Sequence, residues 1–356
     1  MTVRKFRLDS SDTDSQLVNM FFSFVSDNKD YEVEFLRCHN ILLTTVPTQV
    51  LATAMCRVVE LHLHGDVQLS KRQSDYMFKA ISESTDLKLR KLELVDDVIS
   101  QNLDAEIFAM ALVNIEEVTL DAVELSEDYS QSVLKAINNK SVLKLKKLFL
   151  FNCPLLSEMR DAETMSKALC RVQHVCIQEC RLSTNQLTTL FTNISKASML
   201  QLHTLVILEG INESIRGVTP SILARAVCRL NRCGLIGLET MSTIQLEKLC
   251  MEIVDCKNLS LTQLILETMR CEMEEVRGDI LASAISRLEV VELGESYTYD
   301  QLQAIANRVV GCSDSKLREL YIRPPSIVDG TEVDPALLKN MREKLKVYTD
   351  KWLVFI

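Results

Sequence analysis

The chain has 356 residues, of which 47% are hydrophobic and 25% are charged, with only 9 glycines and 6 prolines. This composition excludes a disordered, collagen-like or low-complexity chain. The 40 basic and 49 acidic residues give a net charge of −9, which disfavours binding to nucleic acid or to an anionic membrane surface.

The start of the chain, MTVRKFRLDSSDTDS, has no apolar run after its basic residues. No later stretch approaches the ~20 apolar residues that a membrane-spanning helix needs. The twelve cysteines form no C-x-x-C pair, and Cys176 and Cys180 are the closest two. They therefore predict reduced, mostly buried thiols, and the sequence predicts a cytoplasmic protein without membrane contact.

A motif with apolar residues at its first, fourth and sixth positions recurs along the chain. Because the fourth and sixth positions are two residues apart, each copy predicts a short strand with one buried face. From Val58 onward, steps of 29–31 residues alternate with steps of 26–28, so the true period is a pair of copies, about 57 residues long. The copies begin at Val3, Val33, Val58, Leu89, Ile115, Leu145, Val172, Leu202, Leu230, Leu261, Leu288 and Leu317.

A second signal supports the same double period. Alternate copies are preceded by short segments such as Ala54-Met55-Cys56-Arg57, and the final arginines of these segments are Arg57, Arg171, Arg229 and Arg287. The remaining copies follow polar runs instead. Two interleaved patterns of this kind indicate one repeating array.

Helical periodicity fills the residues between the strand motifs. After Leu182, apolar residues recur at three- and four-residue steps, and Thr219-Pro220 and Asp334-Pro335 are typical helix starts. At the chain ends we expect a strand and helix within residues 1–30, a helix from Pro335 to about Lys346, and a last strand at 352–356. The apolar edges of the terminal strands suggest self-association as a further possibility.

These motifs resemble the leucine-rich repeat in its long, ribonuclease-inhibitor-like form, over nearly the whole chain. The resemblance implies an α/β fold in one domain spanning residues 1–356. It would be a horseshoe-shaped solenoid of about 11–13 repeats, with parallel strands on the concave face and helices on the convex face. The ninth repeat position, usually Asn or Cys, matches only at Cys153 and Cys180. The other turns must satisfy their backbone groups in another way.

In such an array, strand positions three, five and seven point onto the concave face. Reading positions five and seven along the chain gives charged ends and an apolar middle. Exposed apolar side chains on neighbouring strands are typical of a binding surface. The alternatives are that a loop or the curvature covers these residues, or that the register is shifted by one. The predicted partner-binding residues are Phe149, Phe151, Val206, Leu208, Ile236, Ile265 and Tyr321.

All five histidines fall on predicted strands. His39, His62 and His64 are expected close together, with Glu93 one strand further on, so a metal site or a pH-sensitive contact is one interpretation. The favoured interpretation is a simply polar concave face, because no short-spaced pair of ligands anchors a metal.

Enzyme motifs are absent from the sequence: there is no G-x-x-x-x-G-K-[ST], G-x-G-x-x-G, G-x-S-x-G or H-E-x-x-H. Cys176 is the one cysteine expected at an outward position, but no histidine–acid pair stands in the sequence to activate it. The sequence therefore predicts no catalytic residue, no cofactor and no enzymatic activity.

The favoured function is a non-enzymatic cytoplasmic scaffold that binds another protein or a peptide on its concave face, without nucleic acid or membrane. Family analogy keeps other functions open. One is a sensing or regulatory module like that of the nucleotide-binding leucine-rich-repeat receptors, and another is an enzyme inhibitor of the ribonuclease-inhibitor kind. A substrate-recognition subunit of a ubiquitin ligase would look similar, although no F-box segment is evident. A GTPase-activating regulator is the last alternative.

Overall fold

Strands and helices alternate along the described chain. The computed structural model describes residues 2–9, 14–28, 30–65, 67–96, 103–153, 155–156, 159–208, 215–236, 241–267, 275–293, 297–322 and 335–348. It divides into two compact units: the N-terminal unit, Met1–Arg181, and the C-terminal unit, Leu182–Ile356.

The described residues of the N-terminal unit form seven strands, each parallel to the next in chain order. The strands are β1 (Thr2–Asp9), β2 (Glu32–His39), β3 (Val58–His64), β4 (Lys91–Val95), β5 (Glu117–Asp121), β6 (Lys147–Phe151) and β7 (His174–Gln178). The helices between them are α1 (Ser15–Asp27), α2 (Thr48–Met55), α3 (Lys71–Glu83), α4 (Ala105–Leu112), α5 (Glu127–Asn139) and α6 (Ala162–Arg171).

The C-terminal unit repeats this arrangement, and the part of it that the structure describes has six parallel strands. The strands are β8 (Thr204–Leu208), β9 (Arg232–Ile236), β10 (Gln263–Glu267), β11 (Val290–Leu293), β12 (Glu319–Ile322) and β13 (Lys346–Tyr348). The helices are α7 (Thr184–Lys196), α8 (Pro220–Arg229), α9 (Thr243–Asp255), α10 (Gly278–Ile285), α11 (Tyr299–Gly311) and α12 (Pro335–Lys344).

Each of the twelve predicted motif copies coincides with one of the strands β1 to β12. The fourth residue of the motif is half-buried at Phe6 and buried in the other copies. The sequence also places the helix starts at Pro220 and Pro335 correctly. The expected last strand at 352–356 lies outside the described residues, and the last described strand is β13. A single domain over residues 1–356 stays a prediction.

The double period has a physical basis in helix length. Helices α1, α3, α5, α7, α9 and α11 each have 13 residues, whereas the helices between them have 8 or 10. The alternation of long and short sequence steps is therefore an alternation of long and short helices.

The four recurring arginines bond the short helices α2, α6, α8 and α10 to the long helix before each of them. Arg57 donates to Val25 O and Ser26 O at the end of α1, both at 2.7 Å. Arg287 donates to Cys256 O at 2.7 Å, just beyond the end of α9. These bonds satisfy carbonyls that a helix C-terminus leaves without partners. Arg171 and Arg229 do the same for α5 and α7.

Glutamines hold the other end of the short helices. Gln245, the third residue of α9, donates to Ile215 O at 2.7 Å and Val218 O at 2.9 Å, in the turn that leads into α8. Its carbonyl oxygen accepts from Ser242, which completes a capping box. Gln73 and Gln301 donate in the same way to the segments before α2 and α10. The short helices α2, α8 and α10 are thus fixed by their neighbours at both ends.

The turns of the N-terminal unit satisfy their backbone N–H groups although most copies lack Asn or Cys at the ninth repeat position. The residue after strands β2 to β7 has a positive φ, between 48° and 62°, at Asn40, Gly65, Asp96, Ala122, Asn152 and Glu179. This left-handed residue points its N–H at the next strand, as in Asn152 N to Gln178 O at 2.9 Å. The two predicted ninth-position cysteines also donate, Cys153 to Val123 O and Cys180 to Leu150 O.

Candidate interaction surface on the open sheet face

In both units the strand side chains alternate between the core and the opposite side of the sheet. Strand β6 shows the pattern, with Leu148 and Leu150 buried and Phe149 and Phe151 half-buried. Right-handed crossovers place all the helices on one face of a parallel sheet when each new strand is added on the same side of the previous one, as it is here. We call the other side of each sheet the open sheet face, and all residues predicted to bind a partner lie on it.

An alternating row of charges crosses the open sheet face of the N-terminal unit. Lys91 Nζ lies 3.2 Å from a carboxylate oxygen of Glu60 and 3.2 Å from one of Glu117. Glu117 in turn lies 2.9 Å from Lys147 Nζ. These four residues, which we call the charge ladder, stand opposite one another in the register of β3 to β6. Opposite charges facing each other across strands stabilise a sheet.

Two residues of the ladder have shifted pKa values. Burial alone would raise the pKa of Glu60, but hydrogen bonds from His62 and Lys91 hold it below its ordinary value. Burial alone would lower the pKa of Lys91, but its two glutamate partners hold it above its ordinary value. Both shifts favour the charged form of the residue concerned.

Next to the ladder, two histidines and a glutamate form a compact cluster. His62 and His64 lie on the same side of β3, with stacked rings whose centroids are 5.7 Å apart. Glu93 on β4 places Oε1 2.8 Å from His64 Nε2 and Oε2 3.4 Å from His62 Nδ1. His62 Nε2 lies 2.8 Å from Glu60 Oε1. The side chains of His62 and His64 are only 12% and 15% exposed.

His39 does not join this cluster, contrary to one interpretation of the sequence. It stands opposite His64 in the register of β2 and β3, but its Nδ1 lies 3.3 Å from Asp9 Oδ1 on β1. Arg37 occupies the position beside His64 instead, with Nη2 3.2 Å from His64 Nδ1. The Nδ1 atom of His39 therefore faces Asp9 on β1 rather than the cluster.

Phe149 and Phe151 form an aromatic pair on β6, with ring centroids 6.3 Å apart and both side chains half-buried. Thr119 and Cys176 stand on either side of Phe149, and Asp121 and Gln178 on either side of Phe151. The aromatic pair thus has the ladder pair Glu117–Lys147 at one end and the carboxylate of Asp121 at the other. An apolar centre with a polar rim is the usual organisation of a protein-binding surface.

Of the predicted residues in the C-terminal unit, only some are accessible. Leu208 and Ile236 are half-buried and stand opposite each other on β8 and β9. Val206 and Ile265 are buried, with 2% and 0% exposed, so the expectation that they are exposed is wrong. Both stand beside Gly234, and Val206 Cγ1 lies 3.1 Å from where a Cβ on that glycine would be. The missing side chain lets Val206 pack into the sheet surface.

Tyr321, the last predicted residue, is half-buried on β12. Its hydroxyl donates to Glu319 Oε2 at 3.1 Å, and Glu319 also pairs with Lys346 at 2.8 Å. This tyrosine is therefore bound within a small polar group rather than joined to an apolar one.

Cys176 lies on the open sheet face beside Phe149, as predicted. Burial raises the pKa of its thiol to about 12. A thiol with so high a pKa is a poor nucleophile, because the thiolate is the reactive form. The eleven cysteines among the described residues are all free thiols.

The charge ladder was not among the predicted features, although the sequence contains its signal. Strand position three is Glu60, Lys91, Glu117 and Lys147 in successive copies, whereas the predicted binding residues lie at positions five and seven. None of the helices described is both long enough and apolar enough to cross a membrane.

Comparison with known proteins adds a structural relative. No protein-family model and no curated protein sequence matches this chain. Among solved structures, the crystal structure of the Rad7 and Elc1 complex in yeast aligns with 89% of this chain and 74% of the matched chain. The TM-score is 0.54 and the sequence identity is 12%. Rad7 is a leucine-rich-repeat protein.

The likeness shows the fold. Together with the alternating parallel strands and helices of each unit, it shows that the chain has an α/β leucine-rich-repeat fold.

Proposed function

We propose that the protein is a non-enzymatic, cytoplasmic scaffold that binds a partner protein or peptide on its open sheet face, with Phe149 and Phe151 as the apolar anchor. The observation that carries this proposal is the aromatic pair itself, two phenyl rings that remain half-buried on the side of β6 away from the core. Exposed aromatic groups on a sheet surface are costly in water and are typical of binding hot spots.

The surroundings of the anchor support a protein partner. The paired charges of Glu117 and Lys147 and the carboxylate of Asp121 can fix the orientation of a partner without attracting a polyanion. The net charge of −9 argues against nucleic acid. The structural relative Rad7 is in a complex with Elc1, which is consistent with a protein-binding role for this fold.

We also propose a repeat subtype and a cellular compartment. The alternation of 13-residue and shorter helices favours the long, ribonuclease-inhibitor-like kind of repeat. The free, buried thiols favour the reducing cytoplasm. Self-association through terminal strand edges stays a prediction.

The test is affinity capture from native extract, followed by calorimetric titration of the identified partner. For the double variant Phe149→Ser/Phe151→Ser we expect at least a 100-fold weaker affinity, since hot-spot residues contribute about 2 kcal/mol or more each. The control is Val142→Ser/Met199→Ser, which removes apolar side chains that are 75% and 90% exposed outside the strands. Equal affinity of the two double variants would refute the proposal.

A further inference from the structure

The cluster of His62, His64 and Glu93 has the composition and spacing of a metal site. One potential ligand atom from each of the three residues lies within 4.8 Å of the other two. His62 and Glu93 stand directly opposite each other in the register of β3 and β4, and His64 is two residues along the same strand. The sheet backbone therefore fixes all three side chains on one face.

We propose that His62, His64 and Glu93 bind one divalent transition-metal ion of the zinc class, independently of the partner site at Phe149 and Phe151. Two imidazoles and one carboxylate are ligands that zinc accepts, and three protein ligands leave a fourth position open. Because the cluster lies on the open sheet face, a water molecule or a partner's side chain can take that position.

The nitrogen that His64 presents to the cluster supports the proposal. Its Nε2 atom is shielded from solvent, and no atom of the described residues is aligned with it for a regular hydrogen bond. Glu93 Oε1 lies 2.8 Å away. A buried polar atom without an aligned partner is uncommon in a protein, and a metal ion between these two groups would satisfy both.

The surroundings of His62 also fit a ligand. Glu60 Oε1, at 2.8 Å, accepts the proton of Nε2 in the tautomer that leaves a lone pair on Nδ1, the nitrogen nearer to Glu93. A carboxylate that orients a ligating histidine in this way is a recurring feature of metal sites. We assign Glu60 to this positioning role.

One neighbour opposes metal binding and gives the proposal a distinctive test. The guanidinium of Arg37 faces Nδ1 of His64 at 3.2 Å. When a metal occupies Nε2, Nδ1 carries a proton, so two donors would face each other and Arg37 must move away. Replacing Arg37 should therefore tighten metal binding. A histidine cluster that serves only the stability of the sheet would show no such gain.

The experiment uses the full chain, stripped of metal with a chelator and titrated with Zn²⁺ by calorimetry and with Co²⁺ by absorption spectroscopy. We expect one ion per chain, with Co²⁺ bands of nitrogen and oxygen ligation. Glu93→Gln should weaken Zn²⁺ binding at least 10-fold and Glu60→Gln by about 10-fold, whereas Arg37→Met should strengthen it several-fold. His39→Ala, which removes a neighbouring histidine outside the cluster, should leave it unchanged.

Several outcomes would overturn the proposal. They are the absence of saturable binding in the wild-type chain, equal Zn²⁺ affinity in Glu93→Gln and wild type, and thiolate charge-transfer bands, which would place the ion at cysteines. Thermal unfolding of each metal-free variant checks that it is folded. Arg37→Met, which removes no proposed ligand, provides a gain of affinity that misfolding could not mimic.

Discussion

The two units share their helical side and differ on their open sheet face. In both, arginines clasp the end of the preceding long helix, as Arg57 does in the N-terminal unit and Arg229 in the C-terminal unit. The open sheet face of the N-terminal unit carries the charge ladder, the histidine cluster and two half-buried phenylalanines. In the C-terminal unit the corresponding positions around Gly234 are aliphatic and mostly buried.

This difference distinguishes the hydrogen bonds that hold the helices from the side chains of the open sheet face. The bonds of the arginines and glutamines run between backbone carbonyls and side chains, so they depend on the geometry of the repeat and recur in both units. The charged side chains of the open sheet face in the N-terminal unit instead contact lateral neighbours on adjacent strands. The charge ladder, the histidine cluster and the phenylalanine pair therefore lie where the two units differ.

The largest expected effect concerns burial on the open sheet face, which is greater at Ile265 in the C-terminal unit than at Phe149 in the N-terminal unit. Ile265→Ser should destabilise the protein by about 4 kcal/mol, because it creates a cavity and leaves a buried hydroxyl without an assured partner. Phe149→Ser, at a half-buried position, should cost about 1 kcal/mol. Chemical denaturation of both variants measures the two losses in the free energy of unfolding. Similar losses would contradict the difference in burial between the open sheet faces of the two units.

The next effect concerns the shared helical side. Arg229→Met should cost about 2 kcal/mol, because the carbonyls of Ser195 and Ala197 lose their charged donor. The matched control is Arg225→Met in the same helix, where the exposed guanidinium bonds to Ser221 O of its own helix. That control should cost about 0.5 kcal/mol or less. Equal losses in urea unfolding would show that the clasp contributes nothing specific.

A smaller effect is expected at the charge ladder. Lys91→Met should cost about 1 kcal/mol at neutral pH, a figure kept low because the pair partners are about one-third exposed. The pKa of Glu60 is below its ordinary 4.5, so the contribution of its carboxylate is present above that pH and is lost as the pH falls through the lowered pKa. Unfolding curves should therefore show the wild-type advantage shrinking in acid, and a pH-independent difference would argue against the ladder.

The smallest effect on the molecule, though easily measured, concerns Cys176. With its pKa raised to about 12, the thiol should have a thiolate fraction of only ~10⁻⁴ at pH 8. Alkylation of Cys176, followed by peptide mass spectrometry, should be ~1,000-fold slower than for a free thiol and should accelerate about tenfold per pH unit. Rapid labelling of the folded chain at pH 8 would contradict this burial.

Much of the fold was predictable because each strand motif fixes a local pattern of buried residues. The arginine series was visible too, but it had a gap of two periods between Arg57 and Arg171. The structure fills that gap with Asn114, which donates to Ser82 O at 2.8 Å. Similarly, Tyr129 takes the place of the buried glutamines and donates to Leu103 O. Because Asn114 and Tyr129 make these hydrogen bonds with other residue types, the repeated arginines and glutamines of the sequence do not reveal them.

The site was less predictable because exposure depends on neighbours across the sheet. Val206 and Ile265 have the same position in their repeats as Phe149, yet both are buried, and Gly234 between their strands leaves room for Val206. His39 shares its repeat position with His64, yet the distant Asp9 redirects it. Predicting such effects of neighbouring strands requires the strand register, which the sequence motif gives. It also requires the sizes and charges of side chains on three strands at once.

The most direct test of the account compares two variants with similar expected losses of stability, about 2 kcal/mol each. The affinity of the identified partner is measured for Phe149→Ser/Phe151→Ser and for Arg229→Met at a temperature where both are folded. We predict that the phenylalanine variant loses at least 100-fold in affinity and that the arginine variant binds like wild type. If Arg229→Met weakens binding as much, or if the phenylalanine variant binds normally, recognition does not take place on the open sheet face.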